Sequence, residues 1–252
     1  MSDRNPAPQR PPFLLASGAL LIGVLVVAII FINKASAPNP TAVTTTSPTA
    51  SVSASASPSS SSSASPSAAP IPYADCTTST FGSPLQPLNP PSSVHAYSAA
   101  PAMTIDTSKL YEATITTPRG TMVICLQPAL APNTVNNFVT LARNHFYDGL
   151  TFHRVVASFV VQGGDPQGNG NGGPGYKFND EPVRQSYVQG AVAMANSGAN
   201  TNGSQFFICI ADDTSKLQPL YNLFGKLVTG IDVAIVTVQG DVMSSVTVTQ
   251  SQ

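Results

Sequence analysis

The chain has no tryptophan, only three cysteines and three histidines, and few charges: Asp, Glu, Lys and Arg make up 9% of its 252 residues, where about a quarter is usual. The shortage of charge is local. Residues 33–105 are nearly free of it, whereas residues 106–252 carry 8 Lys/Arg and 10 Asp/Glu. No basic run or patch occurs, which excludes nucleic-acid binding, because that affinity rests on many paired phosphate charges. Cys76, Cys125 and Cys209 fit no zinc spacing, and His95, His145 and His153 cluster with none of them, so no metal site is expected. The absence of GxSxG removes the main signal of a serine hydrolase. Gly168 to Gly173, GNGNGG, does satisfy GxGxxG, but Pro174-Gly175 follow where a helix would have to open. No nucleotide and no other cofactor is therefore expected. The neighbouring acids Asp180/Glu181 and Asp212/Asp213 lie in loop-like segments and read as solvated surface; on strands they would face opposite ways.

Residues 13–32, FLLASGALLIGVLVVAIIFI, are an uncharged run of 20. As a helix rising about 1.5 Å per residue it spans roughly 30 Å, the thickness of a bilayer core. The run is apolar on every face and longer than the roughly 7–15 residues of a signal-peptide core, so it reads as a transmembrane signal anchor. Ala35-Ser36-Ala37 has the form of a cleavage site and keeps a cleaved signal peptide as the alternative. Arg4 and Arg10 precede the run and Lys34 follows it, a bias that makes residues 1–12 a cytoplasmic tail and puts the rest outside a single-pass cell membrane anchor. Residues 33–70 contain 13 Ser, 9 Ala, 6 Pro and 5 Thr, which cannot build a core. A disordered linker is expected there, with an end-to-end distance of about 34 Å. Its composition would also suit O-glycosylation in an exported protein. Residues 71–107 read as an irregular lead-in with a few apolar anchors.

Periodicity changes near Lys109. Leu110 to Thr117 alternates apolar and polar residues, Thr117-Pro118-Arg119-Gly120 signals a turn, and Thr121 to Leu126 alternates again, which predicts a β-hairpin. Pro132-Asn133-Thr134 opens a helix to about Asn144, with Val135, Phe138, Val139 and Ala142 on one face. Strand-like runs follow at 152–156, 159–162, 190–195, 205–210 and 222–228. A short helix is expected at 231–237 and a last strand at 245–249. Many short strands and two helices point to a mostly β domain over 108–252: an eight-stranded antiparallel closed β-barrel capped by two helices.

Two segments carry more than periodicity: Phe152 to Asp165, FHRVVASFVVQGGD, and Gly190 to Ile210, GAVAMANSGANTNGSQFFICI. Together they resemble the two halves of the active site of cyclophilin-type peptidyl-prolyl isomerases, and the resemblance covers about residues 108 to 250. The family's barrel, with a helix over each end, matches the element order above. The reaction implied is rotation about an X–Pro bond, whose amide resonance sets a barrier of about 18–20 kcal/mol. No bond is broken, so neither a nucleophile nor a metal is required. In the twisted state the prolyl nitrogen regains a lone pair, and a guanidinium aimed at it stabilises the transition state over the planar ground state.

By this resemblance Arg154 is the catalytic arginine. Gln162 binds substrate backbone and orients it, and Phe159 and Phe207 floor the proline pocket, which Val160, Leu217 and Tyr221 also line. Ala195 and Asn196 contact the residues before proline through the main chain, with Gln205 beside that subsite. His153 reads as structural, since rotation gives a general base no task. Asn200 to Ser204 reads as a tight loop shaping the groove, and its Asn202-Gly203-Ser204 sequon is not expected to carry a glycan. Three departures from well-known members stand out. Val160 replaces a methionine, Ala157-Ser158 replaces Pro-Gly, and Lys216-Leu217 and Tyr221 stand where Trp-Leu and a histidine occur. Weak cyclosporin binding with isomerisation retained is the expected consequence.

Alternation turns Cys125 away from a barrel interior that holds Ile124, and Cys209 resembles a buried cysteine of the family. A disulfide from Cys76 to Cys125, pinning the lead-in, is therefore expected, with three free thiols as the alternative. The expected function is a membrane-anchored, extracytoplasmic isomerase with a monomeric domain acting on X–Pro bonds of exported or envelope proteins. A tethered proline-binding or chaperone module with little turnover is one alternative, and an envelope structural protein is another.

Overall fold

A computed structural model describes residues 69–252 of the chain. The expected tail at 1–12, the anchor at 13–32 and all but the last two residues of the expected linker lie outside the described residues. Among the described residues no helix is long and apolar enough to cross a membrane.

In chain order the elements are β1 (Tyr111–Thr117), β2 (Gly120–Leu126), α1 (Pro132–Arg143), β3 (Arg154–Val156), β4 (Val160–Gly163), β5 (Ala191–Met194), β6 (Phe206–Cys209), β7 (Leu223–Thr229), α2 (Ile231–Val236) and β8 (Ser245–Gln250). The strands form one antiparallel sheet in the order β3-β4-β6-β5-β7-β2-β1-β8. The hairpin is in register from Tyr111 opposite Leu126 to Thr117 opposite Gly120, as the alternation on both arms requires.

The expected closed barrel is corrected to a curled half-barrel. The terminal strands β3 and β8 share no ladder. The segments just before them meet instead: Gly149 N and Met243 N donate to Met243 O and Leu150 O (2.8 Å each), and Phe152 N donates to Asp241 O (2.9 Å). Strand β3 has only three residues, too short to pair along a whole neighbouring edge. On its far side β8 is covered by the lead-in. Gly82 N donates to Gln250 O (3.0 Å) and Leu85 N to Val248 O (2.8 Å), which protects an edge that would otherwise be open to pairing.

The main core lies on one face of the sheet. Ala113, Ile115, Met122, Ile124, Val161, Val192, Ile208, Val246 and Val248 meet the buried face of α1, where Val135, Phe138, Val139 and Ala142 are almost fully shielded. Phe138 is a hub, its ring 4.9 Å from that of Tyr147 and 5.4 Å from those of Phe206 and Phe224. Helix α1 begins at Ala131-Pro132 without a side-chain cap of its own. Glu181 supplies one from a distant loop: Oε1 accepts from Asn133 N (3.0 Å) and Oε2 from Thr134 N (2.8 Å) and Thr134 Oγ1 (2.7 Å). A carboxylate there satisfies free N–H groups and faces the positive helix end. The expectation of solvated acids is thus corrected for Glu181, and for Asp213, whose side chain is fully buried against Lys216. Asp180 and Asp212 are exposed.

The Cys76–Cys125 disulfide is present, with Cα atoms 5.7 Å apart, and Cys209 is a buried free thiol. Cys125 does face away from the core that holds Ile124, yet it is 2% exposed because the lead-in covers it. Burial, then the Asp213 carboxylate, pushes the Cys209 thiol well above its ordinary range.

Candidate active site

Strand pairing places the site on the face opposite the main core. Arg154 pairs with Gln162, Gln162 with Phe207, Phe207 with Ala193, and Ala193 with Leu223. Paired residues share a face, so β3, β4, β6, β5 and β7 present this row together. The alternate row of Val155, Val161, Ile208 and Val192 belongs to the core on the other side.

Side-chain amides link the row to a loop. Arg154 Nη1 donates to Gln162 Oε1 (3.2 Å), and Gln162 Nε2 donates to Gln205 Oε1 (3.0 Å). Gln205 Nε2 donates to the carbonyls of Gly170 and Gly172 (2.9 Å each). That glycine-rich loop turns around Asp165, which is 1% exposed. Its carboxylate accepts from Gln167 N (2.8 Å), Asn169 N (3.0 Å) and Gly170 N (2.6 Å). Burial raises the Asp165 carboxyl, but the backbone N–H groups of Gln167, Gly170, Gly172 and Asn169 outweigh it and hold the group below its ordinary value. A side chain on Gly172 would collide with that carboxylate, and one on Gly164 (φ +83°) would collide with the Ser204 carbonyl. Glycine there lets the two motif segments touch, and Ser204 Oγ donates to Gly164 O (2.6 Å).

Two neighbouring regions result. An open groove of about 640 Å³ is lined by Gln162, Gly170, Gly172, Ala195, Asn196 and Gln205, among others. Beside it a second apolar cluster gathers Phe159, Val160, Ala195, Phe207, Leu217 and Tyr221. All ten residues singled out in the sequence therefore fall in one contiguous region. Arg154 is exposed, with its guanidinium carbon 5.8 Å from the centre of the Phe159 ring. Tyr221 meets Phe207 edge to face, ring centres 5.6 Å apart. The Asn196 side chain donates to Leu220 O (2.9 Å), and Ala195 N donates to Gln205 O (2.9 Å). Asn202 is completely buried, with Nδ2 donating to Asp180 Oδ1 (2.8 Å), which leaves no room for a glycan.

Sequence reasoning missed Tyr187. Its hydroxyl donates to Tyr221 O (2.8 Å) and accepts from Tyr221 N (3.0 Å), so it sets the position of the Tyr221 backbone. No local pattern announces that role; Tyr187 lies between loop residues, 34 positions from its partner. Neither ring nitrogen of His153 has a hydrogen-bond partner. Burial lowers its imidazole below the ordinary value, with Asp165 and the nearby Gln205 side chain pulling the other way.

Comparison with known proteins agrees with this fold. The family model for cyclophilin type peptidyl-prolyl cis-trans isomerases (CLD) matches residues 112–250. A Helicobacter pylori peptidyl-prolyl cis-trans isomerase is 42% identical over 148 residues, covering 57% of this chain and 90% of the relative. A Bacillus subtilis peptidyl-prolyl cis-trans isomerase B is 47% identical over 125 residues, covering 49% of this chain and 87% of the relative. The crystal structure of a Cryptosporidium parvum cyclophilin-type isomerase superposes with a TM-score of 0.50 at 29% identity, covering 55% of this chain and 97% of that one. The chain belongs to the cyclophilin-type peptidyl-prolyl cis-trans isomerase family. Its activity is that of a peptidyl-prolyl cis-trans isomerase.

Proposed function

We propose that Arg154 drives the isomerisation by donating to the prolyl nitrogen as the X–Pro amide twists. The observation that carries this reading is the chain of hydrogen bonds from Arg154 through Gln162 to Gln205, running beside the Phe159–Phe207 cluster. Gln162 accepts from the guanidinium and so limits its rotamers, which lowers the cost of aiming it. The proline ring sits among Phe159, Val160, Phe207, Leu217 and Tyr221, and the preceding residues lie along Ala195, Asn196 and Gln205. Because the guanidinium bonds to a lone pair that only the twisted amide has, it acts on the transition state rather than on substrate binding. In a proline-peptide isomerisation assay on the full-length protein, Arg154→Ala should lose about 10²–10³-fold in kcat/KM, the usual cost of removing one such donor. Parent-like activity would sink this mechanism.

We also infer that the substrates are exported or envelope polypeptides. In this reading residues 13–32 anchor the chain in the cell membrane, residues 33–70 are the tether, and the domain acts outside as a monomer. Support comes from the 20-residue uncharged run and from the Cys76–Cys125 disulfide, since such bonds persist in oxidising compartments. Retention in the membrane pellet after alkaline washing, with the domain accessible to external protease, is the expected result. Release by the wash defeats the anchor.

A further inference from the structure

One cation beside the proposed site is still without a role. Phe159 ends the β3–β4 turn, where Ser158 adopts φ +57°, a left-handed conformation that non-glycine residues disfavour. Within the turn Phe159 N donates to Val156 O (3.1 Å). Facing it is the loop 211–221, which carries Leu217 and Tyr221. Lys216 crosses between them: its Nζ donates to the Ser158 carbonyl (2.9 Å) and to Asp213 Oδ1 (2.7 Å), and lies 5.6 Å from the centre of the Phe159 ring. The Asp213 side chain is fully buried, and its second oxygen has no hydrogen-bond partner. The ammonium is thus the cationic partner of a carboxylate that is costly to bury alone. Asp213 is itself built into the loop, its carbonyl accepting from Lys216 N and Leu217 N (2.9 Å each) and its N–H donating to Tyr187 O (2.9 Å).

We propose that Lys216 is a positioning residue of the isomerase, whose ammonium, anchored on buried Asp213, ties the Ser158 turn to the Leu217 loop and so fixes the gap between Phe159 and Leu217 that receives proline. This rests on the site assignment above. Lys216 reaches the substrate only through Phe159 and Leu217, so it acts on how well the proline ring is held and not on the twisting step. Charge-assisted hydrogen bonds at both ends make the tie stiffer than neutral contacts would.

The test is KM against kcat for the full-length protein, measured on one proline peptide. Lys216→Met should raise KM roughly 5- to 10-fold while kcat stays within about twofold, the pattern of lost uniform binding. Lys216→Arg keeps a cationic donor and should stay within about twofold of the parent in both. Lys216→Met leaves Asp213 stranded, so Lys216→Met/Asp213→Asn is measured beside it. That pair lacks the tie without a stranded charge and should melt near the parent yet keep the raised KM. A parent-like KM in the double variant overturns the proposal, as does a fall in kcat with KM unchanged; if the single variant does not fold, the double variant decides. Arg154→Ala separates the two readings. Full activity there overturns the site itself, whereas loss there beside a parent-like KM in the Lys216 variants overturns only the role of Lys216.

Discussion

Asp165 shows how one residue far from the reacting bond can govern a site. It bonds the loop whose Gly170 and Gly172 carbonyls hold Gln205, and Gln205 in turn holds Gln162 and, through it, Arg154. The carboxyl lies below its ordinary value in the folded state: burial raises it, and the surrounding backbone N–H groups more than offset that. A folded pKa below the unfolded one gives stability that is present above the unfolded value, near 3.9, and is lost as pH falls through the folded value. The protein should therefore show an acid limb below about pH 4 to which Asp165 contributes. Asp165→Asn offers one acceptor oxygen where the carboxylate offers two, so some of the loop N–H groups lose their partner. A cost of about 1–3 kcal/mol at neutral pH is expected, together with a flatter acid limb. Thermal melting of parent and variant from pH 2 to 7 checks both points, and parallel curves would remove Asp165 from the account.

Among the elements, α1 is the clearest case of a segment finished by a distant part of the chain. Its apolar face makes it a helix, but its first turn depends on Glu181, 47 residues beyond Thr134. The same acid is fastened from behind, Glu181 N donating to Asn222 Oδ1 (2.9 Å) while Asn222 Nδ2 donates to Thr134 Oγ1 (2.9 Å). Glu181→Ala should cost about 1–2 kcal/mol, as the loss of a helix N-cap does. Chemical denaturation would read this as a lower midpoint with unchanged slope, and an unchanged midpoint would mean the cap is idle. The hairpin, α1, and the positions of β3 to β8 could be read from alternation and helical spacing, because each is a local consequence of which face is buried. The two long motif segments, Phe152 to Asp165 and Gly190 to Ile210, singled out candidate residues that the fold brings into one region. What could not be read depends on partners far apart in the chain: Glu181 looked like solvated surface until α1 met it, Asp213 until Lys216 folded back, and the gap between β3 and β8 follows from a strand of three residues.

The described part of the molecule has two apolar clusters, one inside the half-barrel and one beside the site, and the start of the lead-in leans on the second while Leu85, Tyr97 and Ile105 lean on the first. Ile71 and Tyr73 pack against it, Tyr73 OH donates to Ser186 O (2.8 Å), and Gln127 holds both Ala74 N (2.8 Å) and Pro72 O (3.0 Å). Three residues after Tyr73 the Cys76–Cys125 bond makes the attachment covalent, closing a sequence separation of 49. Chain-entropy arguments value a loop of that length at about 4 kcal/mol, which for a domain of this size is roughly 8–16 °C in melting temperature. The half-barrel core is formed without the lead-in's first residues, so the bond should govern stability more than fold. Reduction, or the pair Cys76→Ser/Cys125→Ser, should lower the melting temperature by about that amount and leave the β-rich circular dichroism spectrum in place. Cys209 will not confuse the reading, because burial and the Asp213 carboxylate keep its thiol protonated. A melt indifferent to reduction would assign the hold on the lead-in to its non-covalent contacts, those of Tyr73 and Gln127 and the pairing of Gly82 and Leu85 with β8.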